Sequence, residues 1–172
     1  MSATIVVQFG TAPTAQAGAT GHLSAEIDTR PTAAGGLNNG QTGFAPGSVV
    51  YLLVYRSARV RVASAATSAG SLSATGSSAT VTFTEDVSFT NSKEASLSRP
   101  VASINSVTWL GSSLGTLEIQ SDRVTVRAAS SGVAVARVTC TAQAEVWRLI
   151  TQASVGGQTS YPVQVVFQGE IA

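Results

Sequence analysis

A single lysine, a single cysteine and a single histidine are all that this 172-residue chain contains of three chemically versatile side chains. Each scarcity excludes something. Cys140 has no partner for an internal disulfide, and His22 has no second imidazole or thiol at ligand spacing, so no zinc site is expected. His22 is also the only imidazole base for the many serines. It lies in GATGHLSAE, and no G-x-S-x-G elbow occurs. Charged residues make up 11% of the chain, against about 25% in an average globular protein. A net charge of +1 supplies no field to draw nucleic acid or anionic lipid, and neither is expected as a partner. The longest apolar run, Val49–Tyr55, is far below the ~20 residues of a membrane helix. MSATIVVQFG has no basic n-region and no apolar h-region, so no signal peptide and a cytoplasmic synthesis are expected. The glycine-rich GSSLG (Gly111–Gly115) lacks the lysine and the helix of a phosphate loop. No carboxylate pair sits in an aromatic-lined segment of the kind that holds a sugar, so a catalytic site and a cofactor are not expected.

What is present is alternation with a period of two. Gly132–Ile150 places Ala134, Ala136, Val138, Cys140, Ala142, Ala144 and Val146 on one side, which predicts either one long, bent central strand or two strands joined by a bulge near Arg137. Cys140 then reads as a small buried hydrophobe. Thr4–Phe9, His22–Ile27 and Tyr161–Phe167 alternate in the same way. Ser48–Ala63 is apolar throughout its first half, as a strand buried on both faces would be, and alternates in its second. Ala79–Thr90 keeps Val81, Phe83, Val87 and Phe89 on one side but is interrupted by Glu85-Asp86. Of a strand with an inward carboxylate and a hairpin turning there, the hairpin is preferred, because burying an unpaired carboxylate is costly. Gly115–Ile150 predicts a three-stranded meander, with turns at Ser121-Asp122 and at Ser130–Gly132. Ser64–Ser78 is polar and of low complexity, a loop or sheet edge. No stretch carries helical spacing with caps.

Nine to eleven short strands predict an all-β fold, an antiparallel β-sandwich of immunoglobulin-like or jelly-roll-like type. The expected division is an N-terminal strand and extended arm over 1–47, then a sandwich domain over 48–172. The arm reading rests on Pro31–Gly47, PTAAGGLNNGQTGFAPG, which is much longer than an ordinary loop. Leu37 and Phe44 would be sticky in a free linker, so they are candidate contacts with a neighbouring subunit. Arg59 and Arg61 are candidates too, as a polar sheet face that pairs with a neighbour's acidic residues. Glu26 and Asp28, two apart, invite a calcium ion with Asn38 or Asn39, but a solvated face beside a turn is the preferred reading. Trp109 and Trp147 read as core anchors rather than a ligand platform.

In this style of chain, poor in cysteine and charge and rich in Ser, Thr, Ala and Gly, with a meander ending in TCTAQAEVWRL (Thr139–Leu149), the sequence resembles the immunoglobulin-like β-sandwich proteins of tailed-bacteriophage particles. It lacks the paired cysteines that flank a tryptophan in true immunoglobulin domains. The resemblance implies a non-enzymatic structural subunit of a virion, either a tail or baseplate component or a head decoration. Such a subunit would be made in the host cytoplasm and would form a homo-oligomer bound to copies of itself and to other virion proteins. It carries over no functional residue. On this reading, removing Gly10–Gly47 should leave a folded domain that no longer assembles. The rival expectation is a receptor- or glycan-binding module at a tail tip, using Ser64–Ser78 or Gly111–Gly115 and an exposed tryptophan.

Overall fold

The structure is a computed structural model that describes residues 2–8, 14–15, 17–18, 21–28, 47–57, 60–68, 70–152 and 163–171. Every regular element among them is a strand. In chain order they are β1 (Ser2–Gln8), β2 (Thr14–Ala15), β3 (Ala17–Gly18), β4 (Gly21–Ile27), β5 (Val49–Arg56), β6 (Val60–Thr67), β7 (Ser71–Ser96), β8 (Ser103–Trp109), β9 (Leu117–Ile119), β10 (Thr125–Ile150) and β11 (Gln164–Ile171). All pairings are antiparallel. The fold is all-β, as the alternation predicts. A smaller sheet has the order β2-β1-β11-β6, and a larger one runs β3-β4-β5-β10-β7. Both draw on the N-terminal stretch, since β1 pairs with β11 and β4 with β5.

The 26-residue β10 is the spine. On one side it pairs with β7 along nearly its whole length. On the other it pairs in succession with β9 (Val126–Ala128), β8 (Ala136–Thr141) and β5 (Ala144–Ile150). A straight strand from Val124 to Gln143 would span about 65 Å. Yet Arg123 and Gln143 line one small cavity, and the Ser57 hydroxyl, at the end of β5, donates to the Asp122 carbonyl. The ribbon therefore curls around the side chains on its inner face. The register slips within this curled stretch, with Arg127 opposite Glu94 but Gly132 opposite Ser92. Extra residues on one strand shorten the other edge and increase twist, which is how a bulge bends a ribbon.

Two expected turns are absent for a shared reason. Ser130–Gly132 is not a hairpin loop but part of β10. The Ala129 and Ser130 amides donate to the Thr116 and Leu114 carbonyls, so the backbone is held extended. Glu85-Asp86 does not turn either. β7 runs straight through, with Asp86 on the outer face bonded to Arg137 and Glu85 accepting from the Ser98 amide. The cost of the half-buried carboxylate is met by a backbone donor 13 residues away. Gly132–Ile150 is one continuous strand. Against β7, Arg137 is in register with Asp86, and the slips are at Arg127/Gly132, Gly132/Val133 and Glu145/Trp147. Against β8 the register shifts between Thr139 and Cys140, close to Arg137. Ser64–Ser78 is mostly strand, split between β6 and β7 around a turn at Gly70.

Two cores lie on opposite faces of the larger sheet. One holds Leu23, Ala25, Val50, Leu52, Val54 and Leu149 against Val60, Val163, Val165 and Phe167 of the smaller sheet's side. The other holds Leu53 and Tyr55 with the even-numbered row of β10 from Val126 to Ala144. β5 is thus buried on both faces, as its unbroken apolar run predicts. Leu23 and Ala25 sit fully in the first core, so removing Gly10–Gly47 would gut the fold rather than leave a domain; that expectation is corrected. The link between β7 and β8, Leu97–Ala102, must pass from one side of β10 to the other. Its Leu97 and Val101 drop into the second core as it crosses.

Candidate functional site

The feature with most capacity to act is the outer edge of β7. Among the described residues β7 has one strand partner, β10, and forms the border of its sheet. From Ser78 to Thr90 it stays in unbroken register against Glu145–Val133, a contour of about 43 Å along the chain. Breaks bound this run at both ends. Gly76 (φ 75°) lies where the ladder slips between Glu145 and Trp147, and Asn91 (φ 59°) lies at the slip next to Gly132. Between them, the outward row is Thr80, Thr82, Thr84, Asp86, Ser88 and Thr90, all exposed; on the inward row Ala79, Val81 and Phe83 are only half-buried, while Val87 and Phe89 are buried. The core is therefore covered incompletely along this border.

Two of the devices that usually protect a border strand, proline and lysine, are missing from its regular run. Ser78–Thr90 contains no proline and no lysine. Its two carboxylates are both engaged within the chain. Asp86 takes a two-pronged bond from Arg137 (2.8 and 2.9 Å), which holds its carboxyl below the ordinary aspartate range and raises the guanidinium. Thr84 and Thr139 share a hydroxyl hydrogen bond of 2.9 Å across the same face. Further along that face stand Val133, 68% exposed, and Leu110, 45% exposed.

The four residues expected at a subunit contact fare differently. Leu37, Phe44 and Arg59 lie outside the described residues. Arg61 is exposed on β6, the border strand of the smaller sheet, and its guanidinium binds Glu170 of the adjacent β11. Its acidic partner is thus supplied by its own chain. Trp109 and Trp147 are half-buried rather than fully enclosed. Trp109 packs 5.7 Å from Phe89 and donates to the Gly115 carbonyl at 3.2 Å, while Trp147 meets Phe167 edge-on at 5.3 Å. Trp109 lines a shallow groove of about 440 Å³ with Asn105, Val107, Thr116 and Leu117.

Glu26 and Asp28 are not a solvated face. Asp28 is buried, and Glu26 accepts from the Tyr55 hydroxyl and from Arg99 at 2.8 Å. A carboxylate answered by a guanidinium has little charge left for calcium, and no group of three His, Cys, Asp or Glu is gathered among the described residues. Arg99 was not singled out by its sequence neighbourhood, where Arg99-Pro100 signals only an extended chain. It lies 4.2 Å over the Phe83 ring and 5.3 Å over that of Tyr55, pinning the Leu97–Ala102 crossing to β4, β5 and β7 together. A lone arginine between the buried Leu97 and Val101 is the signal that would have found it. Cys140 is fully buried, and burial, aided by the nearby Glu85 charge, pushes its thiol up to about 11.

No family model, no curated protein and no solved structure matches this chain.

Proposed function

We propose that the chain is a non-enzymatic structural subunit of a symmetric assembly, in keeping with the resemblance to tailed-phage particle proteins, and works through contacts with copies of itself and with other particle proteins. The observation that carries this reading is the long border strand β7, whose outward row is mostly Ser and Thr and whose inward Ala79, Val81 and Phe83 are only half-buried. Native sheets blunt such borders or occupy them. A second support comes from length. β4 and β5 are adjacent antiparallel strands, with Ile27 opposite Leu52, and a hairpin connection needs about 2–5 residues. The connection here runs from Asp28 to Ser48. It is longer than closing the hairpin requires, and Leu37 and Phe44 within it, outside the described residues, are the contacts we assign to an arm reaching a neighbour.

Light scattering over a concentration series should show a discrete oligomer. Replacing residues 30–46 with a short Gly/Ser connection, which spares Leu23 and Ala25, should leave the fold intact and weaken that oligomer. A chain that stays monomeric at every concentration would favour the second reading, a binding module at a tail tip. That reading is supported by the half-exposed Trp109 groove, and quenching of tryptophan fluorescence by a sugar panel would report it.

A further inference from the structure

We infer that the border of β7 is closed by the same border of a second copy, antiparallel and about a two-fold axis at Thr82; this deepens the assembly reading and rests on it. The window is Ser78–Asp86, within the regular run between the breaks at Gly76 and Asn91. A partner strand must offer an apolar row on the inner face and a polar, uncharged row on the outer one. This chain's own border offers both, with Ala79, Val81 and Phe83 on one side and Thr80, Thr82 and Thr84 on the other.

Like charges and side-chain pairing choose the register. A two-fold axis at Glu85 or Asp86 would set identical carboxylates opposite each other, which destabilises a ladder. An axis at Thr82 sets Val81 of each copy against Phe83 of the other, the aromatic–β-branched pairing that ladders favour. Glu85 then faces Ala79 and Asp86 faces Ser78, and both carboxylates keep the Ser98 and Arg137 bonds they already make. The half-buried Val81 and Phe83 of each copy are covered by those of its mate. An isologous contact of this kind closes at two copies and occupies the Ser78–Asp86 window of both borders.

The test uses the full chain and the outward position Thr82. T82C should form a covalent dimer under a mild oxidant, since the two introduced thiols would face each other and the native Cys140 is buried. S88C, on the same face but far from its mate in this register, should not. T82K places two ammonium groups in opposition and should raise the concentration needed for dimerisation by about fivefold or more. An oligomer whose T82C variant does not cross-link and whose T82K variant keeps its mass would overturn the β7 pairing while leaving the assembly reading in place. Equal cross-linking by T82C and S88C would overturn the register and reduce the contact to random collision. A chain monomeric at all concentrations, with no T82C dimer, would overturn the pairing together with the reading beneath it.

Discussion

Replacing Arg99 by alanine should destabilise the protein by about 2–4 kcal/mol, although the residue belongs to a connection and not to a strand. Two losses combine. The guanidinium lies over the rings of Phe83 and Tyr55, and a partly desolvated cation–π contact contributes about 1 kcal/mol. It also bonds Glu26 at 2.8 Å, with both side chains only 21% exposed. Removing one member of such a pair leaves the other charge poorly solvated, at a cost of about 1.5–3 kcal/mol. The assay is urea unfolding followed by tryptophan fluorescence and circular dichroism, where the midpoint should fall with little change in slope. A double-mutant cycle with Glu26→Gln isolates the contact and should give a coupling of at least about 1 kcal/mol. Arg137→Ala is the control: it breaks a pair of comparable geometry on the solvated face, and should move the midpoint far less. If R99A unfolds with the parent, or if the cycle shows no coupling, the crossing segment is not held by this cluster and the account of how the second core is covered fails.

Two further outcomes follow from the same structure. Burial, then the hydrogen bond and charge of Glu26, raise the Tyr55 phenol well above its ordinary value near 10, so the folded state keeps this proton longer than the unfolded chain. Stability should therefore be full below pH 10 and decline as pH rises beyond it, and Tyr55→Phe should flatten that alkaline decline in urea midpoints. Gly70 has φ 118°, and a Cβ there would stand 2.1 Å from the Ile150 carbonyl oxygen. Gly70→Ala should cost about 2–4 kcal/mol, whereas Gly76→Ala, with φ 75° and open space around it, should cost about 1 kcal/mol.

Much of the fold was legible wherever one residue's environment is set by its neighbours two places away. The even-numbered row of β10 and the doubly buried run of β5 follow directly from period and composition. The misreadings occur where a distant partner changes the local balance. Glu85-Asp86 looks like a turn until Arg137 and the Ser98 amide answer the two carboxylates. Ser130–Gly132 has the composition of a hairpin loop, yet the Leu114 carbonyl accepts from the Ser130 amide and the Thr116 carbonyl from that of Ala129 just before it. The same holds for the candidate contacts. Arg61 reads as an available cation, and only the register of β6 against β11 reveals Glu170 beside it. Glu26 reads as solvated because Arg99 is 73 residues away.

The placement of the two cores bears on how the molecule behaves as a subunit. The β5 strand and the last turn of the spine, Ala144–Ile150, separate one core from the other, with Leu52 and Leu149 facing one way and Leu53 and Ala144 the other. Neither core can be lost without stripping one face from the strand that backs its neighbour, so the two should unfold together. The β7 border is different at its Ala79–Phe83 end, because there its inward row touches only the second core and is half-covered, whereas Val87 and Phe89 further along are buried. It is held by β10 on one side and by nothing described on the other. Stability is therefore concentrated where the sheets overlap and is thinner at the β7 border, where β10 is the one strand partner among the described residues. A partner strand added there would supply both the missing ladder and the missing cover, and would strengthen the fold at the place where the isolated chain has least holding it.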